Sequence, residues 1–484
     1  MPDSRLYSLK ILRRFNRNIK KRINWQSKTT LFFLSIAISL LGVQFIGGED
    51  FTETQNYVLF ILFFAISLWV TEAIPPFAVG LLIIGFLVYS LGYTSSDDVM
   101  QYVNTWSDSV IWLFLGGFFL AEGMQKTKLD EQLLRMIAPK LGNSSKYISL
   151  GLMMITAFLS MLMSNTATTS MMIATITPIT LQFGKKAAIS KILLIGIPTA
   201  AAIGGMGTII GSAPNAIAVG ALENVGITIT FLEWMLIGMP VALILIVLFW
   251  KLLLMKYKVV NEKISLEFLF NKQLEINDEE DEEVDQTSKN IMLIILAGTL
   301  TLWLTSQWTG IPVAAVSVVP IVGLTMFGII DADNVRQLPW DTLMLVAGGL
   351  SLGLAVQQYG LADYFISLID FKNSNVYVLF VIFGLLTVLL SNFMSNTATA
   401  TIMIPIGISL ANLGMIDNPV ILPLIIGLSA SCALLLPVST PPNAIAYSTG
   451  MIEQSEFRYG GITIGIAGPI LSILWLLVLQ LFLF

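Results

Sequence analysis

One pentapeptide, SNTAT, occurs twice in this chain, at residues 164–168 and again at residues 395–399. A second pentapeptide, PNAIA, follows it each time, at residues 214–218 and 442–446. Identical strings that recur in the same order, 231 and 228 positions apart, indicate that the chain consists of two related halves. Each string is polar or helix-breaking and is embedded in apolar sequence. Duplicated interruptions of this kind are typical of a transporter's binding site.

The composition places the chain in a membrane. Of its 484 residues, 55% are hydrophobic and 12% are charged, and the mean hydropathy is +0.81. Soluble domains average about 25% charged residues. The apolar runs reach the roughly 20 residues that a spanning helix needs and exceed the roughly 10-residue strands of a membrane barrel. The sequence therefore predicts an all-α polytopic membrane protein.

Several kinds of chemistry are excluded by the residues that the chain lacks. The only cysteine is Cys432, which rules out an internal disulfide and a cysteine-based metal cluster. There is no histidine, so zinc sites of the HExxH type and Ser-His-Asp triads are excluded. No basic, aromatic-rich patch suggests nucleic acid as a partner. We therefore expect a protein that is not an enzyme.

The chain divides into four regions. We expect a basic cytoplasmic N-terminal segment, a first membrane portion with repeat 1, an acidic cytoplasmic linker and a second membrane portion with repeat 2, at residues 1–28, 29–257, 258–289 and 290–484. Each repeat is predicted to hold a hairpin followed by a broken helix, around 147–183 and 190–222 in repeat 1 and around 375–412 and 419–450 in repeat 2.

Charge distribution predicts the orientation. The N-terminal segment is strongly basic and has no cleavable signal peptide, so the positive-inside rule places it in the cytoplasm of a multi-pass plasma-membrane protein. The loop at 126–146 is basic, whereas its counterpart at 358–375 is not. The two repeats are therefore expected to have opposite orientation. The loop at 331–341 has only Arg336 as a basic residue and does not support this assignment.

The apolar flanks of each SNTAT string are too short for two full spans. Because backbone groups in hydrocarbon must be satisfied, two half-length helices that meet at the polar tip fit better, as a re-entrant hairpin. Free helix N-termini bind anions, and carbonyls at the ends of broken helices favour small cations. Two symmetric tips would each offer hydroxyl and amide donors to one carboxylate of a dicarboxylate. Alternatively, these polar residues only join transmembrane helices to one another.

A coupling cation is compatible with these motifs. No lysine or arginine lies within them, so a bound dianion would be stabilised by a cation. Ser160 and Ser391, each four residues before its motif serine, could add oxygen ligands. Sodium fits this chemistry, and proton coupling is less attractive because the predicted spans hold few acids, mainly Glu72 and Glu122.

The doubled SNT motif and the breaks at 213–215 and 441–443 resemble those of the divalent anion/sodium symporter family, the dicarboxylate and citrate transporters. The resemblance covers nearly the whole chain after the basic segment. It implies about 11 transmembrane helices in two inverted-topology repeats with two re-entrant hairpins. It also implies a homodimer in which transport domains move against scaffold domains by an elevator mechanism.

The resemblance also implies which residues bind. The substrate-binding set would be Ser164, Asn165, Thr166, Ser212, Ser395, Asn396, Thr397, Thr440 and Pro441. A first cation site would comprise Ser160, Ser164, Asn165 and Gly211, and a second would comprise Ser391, Asn396 and Ser439.

The expected function is secondary active transport of C4–C5 dicarboxylates such as succinate, fumarate, malate and 2-oxoglutarate. Dicarboxylate exchange and sodium symport both remain open, so Na⁺ is a candidate coupling ion and no other cofactor is expected. The alternatives are a transporter of citrate and other tricarboxylates, a transporter of inorganic divalent anions and, more remotely, an anion channel.

Overall fold

The structure, a computed structural model, describes residues 27–47, 51–94, 99–258, 285–367, 375–412, 416 and 418–482. The predicted basic segment lies outside the described residues as far as residue 26, and so does the acidic linker from 259 to 284. All regular secondary structure in the described residues is helical. The prediction of an all-α chain is confirmed.

The helices of the first half precede the acidic linker. They are α1 (Ser27–Ile46), α2 (Glu53–Thr71), α3 (Pro76–Thr94), α4 (Met100–Asn104), α5 (Ser109–Lys126), α6 (Leu129–Ile137), α7 (Ser145–Ser160), α8 (Asn165–Phe183), α9 (Ala188–Gly204), α10 (Ala213–Glu223) and α11 (Phe231–Tyr257). Short 3-10 turns lie at Thr105–Ser107, Ala138–Leu141, Gly205–Gly207 and Ile209–Gly211.

The helices of the second half follow the linker. They are α12 (Gln286–Leu304), α13 (Ser306–Thr309), α14 (Val313–Val316), α15 (Val318–Met326), α16 (Ala332–Gln337), α17 (Trp340–Gln358), α18 (Leu361–Ser367), α19 (Val376–Ser391), α20 (Asn396–Asn412), α21 (Ile421–Ala430), α22 (Pro441–Ser448) and α23 (Gln454–Leu479).

The helices differ in length, and several of the short apolar helices lie next to the repeated strings. Among the described residues, 8 helices are long and apolar enough to cross a membrane, namely α1, α2, α3, α9, α11, α12, α17 and α23. Shorter apolar helices include α7, α19, α20 and α21, which flank the two SNT motifs or precede the second PNAIA string. The total of about 11 crossings stays a prediction.

Four non-helical segments interrupt the apolar sequence. Hairpin 1 is α7, the turn at 161–164 and α8, and hairpin 2 is α19, the turn at 392–395 and α20. Break 1 is the stretch 205–212 between α9 and α10, and break 2 is the stretch 431–440 between α21 and α22. Both SNT motifs therefore start the second helix of a hairpin, and both PNAIA strings start the helix after a break.

One predicted span differs from the structure. The sequence predicts a single helix across 311–330, whereas the structure has a shorter apolar helix, Val313–Met326, with a turn at Ser317 between α14 and α15. Pro320 follows three residues later and has no N–H to donate to the Val316 carbonyl. The Ser317 hydroxyl and the Ser317 N–H both donate to the Val313 carbonyl, over 2.9 and 3.1 Å.

The two halves of the chain interlock. In the first half α10 packs against α20 and α21, and in the second half α22 packs against α8 and α9. Similarly, α3 packs against α17, and α5 packs against α14 and α15. Each half therefore packs its site helices against the other half, and residues from both halves share one large apolar core.

Two of these crossings bring the helix backbones into close contact. A Cβ added at Gly348 of α17 would lie 2.3 Å from the Gly80 Cα of α3. A Cβ added at Gly116 of α5 would lie 2.8 Å from the Ser317 Cβ. Real side chains do not approach so closely, so the helices can pack at this distance only because glycines occupy these positions.

We expect Gly348→Ala to lower the stability of the folded protein by about 1–3 kcal/mol, because the added methyl must push α3 away from α17. The matched control is Gly85→Ala on α3, since nothing lies within 4 Å of a Cβ at Gly85. Thermal unfolding of detergent-solubilised protein would measure both. Equal stability of the two variants would contradict this account of the crossing.

Candidate functional site

Each hairpin tip is a capped helix N-terminus. The Ser164 Oγ accepts a hydrogen bond from the Ala167 N–H over 3.2 Å, and the Ser395 Oγ accepts one from the Ala398 N–H over 3.1 Å. Serine is among the favoured N-cap residues because its oxygen satisfies one of the unpaired N–H groups of the first turn. Both serines are exposed. Because each hydroxyl accepts with its oxygen, its proton remains available to a ligand.

A buried serine precedes each tip and contacts the motif asparagine. The Ser160 Oγ lies 2.5 Å from the Asn165 Oδ1 and 2.8 Å from the Ala201 carbonyl oxygen. In the second half Ser391 makes the same pair of contacts, 2.7 Å to Asn396 and 2.9 Å to the carbonyl of residue 430. A hydroxyl has one proton and can donate to only one of two oxygens at a time. These sites are therefore rich in oxygen relative to donors.

The Asn165 amide is the most informative group in the site. One of its two terminal atoms lies 3.1 Å from the Ala201 carbonyl oxygen, 3.3 Å from the Gly211 carbonyl oxygen and 2.5 Å from the Ser160 Oγ. If this atom is Nδ2, it donates to both carbonyls. If it is Oδ1, it faces only acceptors, and these four neighbouring oxygens are unfavourable together unless a cation binds beside them. The donor set therefore fits a small hard cation.

Two glycines make this approach possible. A Cβ added at Gly205 would lie 2.6 Å from the Asn165 Oδ1 and 2.7 Å from the Gly211 carbonyl oxygen. A Cβ added at Gly211 would lie 2.5 Å from the Gly205 carbonyl oxygen. Break 1 folds back on itself at these residues, so a side chain at either position would push the Gly211 carbonyl away from Asn165.

Side chains attach break 1 to the tip of hairpin 1. The Thr208 hydroxyl donates to the Met161 carbonyl over 2.5 Å and accepts from the Gly211 N–H over 3.1 Å. The Asn215 Nδ2 donates to the Gly205 and Thr208 carbonyls, each over 2.8 Å. These bonds satisfy the Gly205 and Thr208 carbonyls and the Gly211 N–H within the protein, as a hydrocarbon environment requires.

Break 2 is attached to hairpin 2 by a different residue. The Asn392 Oδ1 accepts from the Leu435 N–H over 2.9 Å and from the Ser439 hydroxyl over 3.0 Å. The Asn443 Nδ2 donates to the Leu434 carbonyl over 3.3 Å and to the Leu436 carbonyl over 3.1 Å. Asn443 thus repeats the contacts of Asn215, whereas Asn392 has no side-chain equivalent in the first half.

The two breaks meet between the halves. The Ser212 Oγ lies 3.3 Å from the Ser431 Oγ, which joins the N-terminus of α10 to the C-terminus of α21. Ser212 is only 9% exposed and makes no capping bond with its own helix. Its hydroxyl therefore lies at the contact between break 1 and break 2.

The predicted residues occupy different environments. Ser164, Thr166, Ser395 and Pro441 are exposed, Asn165, Asn396, Thr397 and Ser439 are half-buried, and Ser160, Gly211, Ser212, Ser391 and Thr440 are buried. Contacts bring Ser160, Asn165 and Gly211 together, and they also join Ser391 to Asn396. Ser439 instead donates to Asn392. None of these side chains is charged, so binding here depends on dipoles and hydrogen bonds.

Sequence reasoning missed several residues at this site. Asn215 and Asn443 stand out in the sequence only as parts of the repeated PNAIA string, and this exact recurrence is the signal that points to them. Thr208, Asn392 and Ser431 were not expected. Asn392 corresponds to Met161 in the first half, so comparison of the two repeats gives no signal for it.

Comparison with known proteins agrees with this architecture. Residues 26–483 match the family described as the sodium:sulfate symporter transmembrane region. The chain is 32% identical over 466 residues to a protein of Staphylococcus saprophyticus named sodium-dependent dicarboxylate transporter SdcS, covering 88% of this chain and 86% of the relative. It is 31% identical over 504 residues to the SdcS of Staphylococcus aureus strain USA300, covering 97% and 94%.

Two solved structures share the fold. MtrF of Neisseria gonorrhoeae, from a class of antimetabolite efflux pumps, superposes with a TM-score of 0.56 at 10% identity, covering 85% of this chain and 96% of that one. The YdaH transporter of Alcanivorax borkumensis superposes with a TM-score of 0.53 at 12% identity, covering 84% and 99%. At such low identity the likeness concerns the fold alone.

The family match covers nearly the whole chain and includes both SNT motifs and both breaks. It agrees with the apolar helices and with an uncharged site at helix ends. The chain is therefore a multi-pass membrane transporter, not an enzyme, and it belongs to the sodium:sulfate symporter family.

Proposed function

We propose that this chain is a sodium-coupled transporter of small dicarboxylates, with C4–C5 acids such as succinate, fumarate, malate and 2-oxoglutarate as its substrate class. The observation that carries the proposal is the Asn165 amide, one end of which lies among three protein oxygens at the N-terminus of α8. The names of two relatives, at 31% and 32% identity, support both the dicarboxylate and the sodium dependence.

The anionic substrate would bind at the two hairpin tips. The first N–H groups of α8 and α20 and the hydroxyls of Ser164 and Ser395 form two sets of donors, and helix N-termini carry partial positive charge. One set would bind each carboxylate. The buried Ser212 and Thr440, at the N-termini of α10 and α22, would complete the site from the breaks, with Thr166, Thr397 and Pro441 beside the tips.

The cation would bind behind the tips. Ser160, Ser164, Asn165 and the Gly211 carbonyl would hold it in the first half, and Ser391, Asn396 and Ser439 would do so in the second. A bound sodium ion would supply the positive charge that an uncharged site otherwise lacks. The positions of Ser160 Oγ and of the Ala201 and Gly211 carbonyl oxygens support this role, because all three lie within 3.3 Å of one end of the Asn165 amide.

The orientation of Asn165 provides a physical basis for coupling. With Nδ2 turned toward the Ala201 and Gly211 carbonyls, that donor is used within the protein. With Oδ1 turned toward them, Oδ1 faces only acceptors and Nδ2 faces only donors, so this orientation is unfavourable unless a cation binds beside the oxygens. A bound cation would therefore decide which way the amide points, and this link between sodium and the site favours symport over exchange.

We propose that transport proceeds by an elevator motion in a homodimer, with the N-terminus in the cytoplasm of a plasma-membrane protein. An apolar cavity of about 410 Å³ lies between α20 on one side and α2 and α17 on the other. Its lining includes Leu62, Val356, Ile402 and Ile406. This apolar lining supports movement of hairpin 2 against α2 and α17.

The coupling is tested by uptake of radiolabelled succinate into proteoliposomes. We expect accumulation under an inward sodium gradient and little uptake when choline replaces sodium. Equal uptake in choline with internal dicarboxylate would instead assign exchange. Uptake of sulfate or citrate in preference to C4–C5 acids would overturn the substrate class, and conductance far above carrier rates would indicate a channel.

The role of the tips is tested at Ser164 and Ser395. We expect Ser164→Ala and Ser395→Ala each to weaken succinate binding about 5- to 150-fold, because each loses a hydrogen bond to a charged group. Ser164→Asp should keep the helix cap and the fold, since aspartate caps as well as serine, yet abolish binding by repelling the carboxylate. The measurement is succinate affinity in saturating sodium.

The matched control for Ser164→Ala is Ser170→Ala, which removes an exposed hydroxyl further along α8. It should leave succinate affinity unchanged. If Ser164→Asp bound succinate as tightly as the unaltered protein, the tip of hairpin 1 would not be the carboxylate site.

A further inference from the structure

Asn215 and Asn443 are completely buried polar side chains beside the breaks. Both have 0% relative exposure, and both lie in the first turn of the helix that follows a break. In each case Nδ2 uses both of its protons on backbone carbonyls of the preceding break. Each amide therefore joins two carbonyls of its break, one of which also accepts a backbone N–H within a turn.

The other end of each amide is unpaired. The Oδ1 atoms of Asn215 and Asn443 are buried and accept no hydrogen bond from the described part of the chain. Burying an acceptor without a donor is unfavourable, and an apolar residue of similar size would avoid that cost. The presence of asparagine at both positions is therefore explained by its donors and not by packing.

The carbonyls held by Asn215 differ from those that face Asn165. Asn215 binds the carbonyls of Gly205 and Thr208, whereas the carbonyls of Ala201 and Gly211 lie against Asn165. The peptide oxygens of break 1 and of the last turn of α9 thus form two groups. One group is bound within the protein, and the other is directed at the tip of hairpin 1.

We propose that Asn215 and Asn443 are twin positioning residues that set the affinity of the transporter for its coupling cation without touching cation or substrate. By holding two carbonyls of break 1, Asn215 keeps the Gly211 carbonyl directed at Asn165, and Asn443 holds the corresponding stretch of break 2 in the same way. This inference rests on the sodium coupling proposed above. The residues act through break 1 and break 2, so their loss changes sodium affinity more than substrate affinity.

The test for Asn215 uses sodium binding and not transport. Sodium that binds only the folded state raises the unfolding temperature with a concentration dependence set by its affinity. We expect Asn215→Ala to raise the half-saturating sodium concentration by about tenfold, the factor that corresponds to one lost hydrogen bond. Asn215→Asp, a buried neutral acid that keeps one donor, should have a smaller effect.

The matched control is Asn224→Ala, which removes an exposed asparagine from the other end of α10 and should leave the sodium dependence unchanged. Succinate affinity measured in saturating sodium should change little in Asn215→Ala. If that variant lowered the unfolding temperature but kept the same half-saturating sodium concentration, the residue would be purely structural and the proposal would be overturned.

The chain carries its own reporter for break 2. Cys432, its only cysteine, has 0% relative exposure, lies in break 2 and is two residues from Leu434, whose carbonyl Asn443 holds. We expect a small maleimide to modify Cys432 slowly in the unaltered protein and about tenfold faster in Asn443→Ala. The matched control, Ser448→Ala at the exposed end of α22, should react at the original rate.

The two experiments separate this inference from the proposed function. If sodium stabilised neither the unaltered protein nor its variants, sodium coupling would fail, and the cysteine rate alone would then decide whether Asn443 holds break 2. An unchanged rate in Asn443→Ala would overturn the proposal even if the transporter proved to be sodium-coupled.

Discussion

The structure depends on one constraint, that peptide groups leaving a helix within hydrocarbon must find partners inside the protein. The chain interrupts its helices at two hairpin turns and two breaks, and side chains supply the missing partners. Asn215 and Asn443 donate to break carbonyls, Thr208 links break 1 to the Met161 carbonyl, and Asn392 accepts from break 2. These bonds hold the irregular backbone in place, and they therefore allow helices to end within the membrane, at the site.

Because it is built from helix ends, an uncharged site can attract both anions and cations. N-termini such as that of α8 expose N–H groups and attract anions, whereas ends such as that of α9 leave carbonyls that attract cations. Asn165 lies where these two kinds of group meet, at the start of α8 and beside the Ala201 and Gly211 carbonyls. Its amide has one donor end and one acceptor end, so whichever end faces the carbonyls determines what the other end offers. A charged side chain could not respond in this way.

Much of this arrangement could be predicted from the sequence, because it is local. The repeated SNTAT and PNAIA strings predicted the two hairpins and the two breaks, since each string ends or starts a helix by itself. Contacts across the halves could not be predicted in this way. Nothing in the sequence around Gly348 indicates that it meets Gly80, and nothing around Gly116 indicates that it packs against Ser317. Such contacts depend on how the halves interlock, which neither repeat encodes alone.

The differences between the halves are as informative as their likeness. Both halves retain the buried serine, the motif asparagine and the asparagine after the break, which together shape one hairpin against one break. They differ at the link between turn and break, where the first half uses the Met161 backbone and the second uses the Asn392 side chain. In the second half, Asn392 accepts a hydrogen bond from the Ser439 hydroxyl. At the corresponding position of the first half, the Gly211 carbonyl is directed at Asn165. Internal duplication therefore supplied two equal sets of helix ends. The contacts between turn and break then diverged, so the oxygens behind the two hairpin tips now have different hydrogen-bond partners.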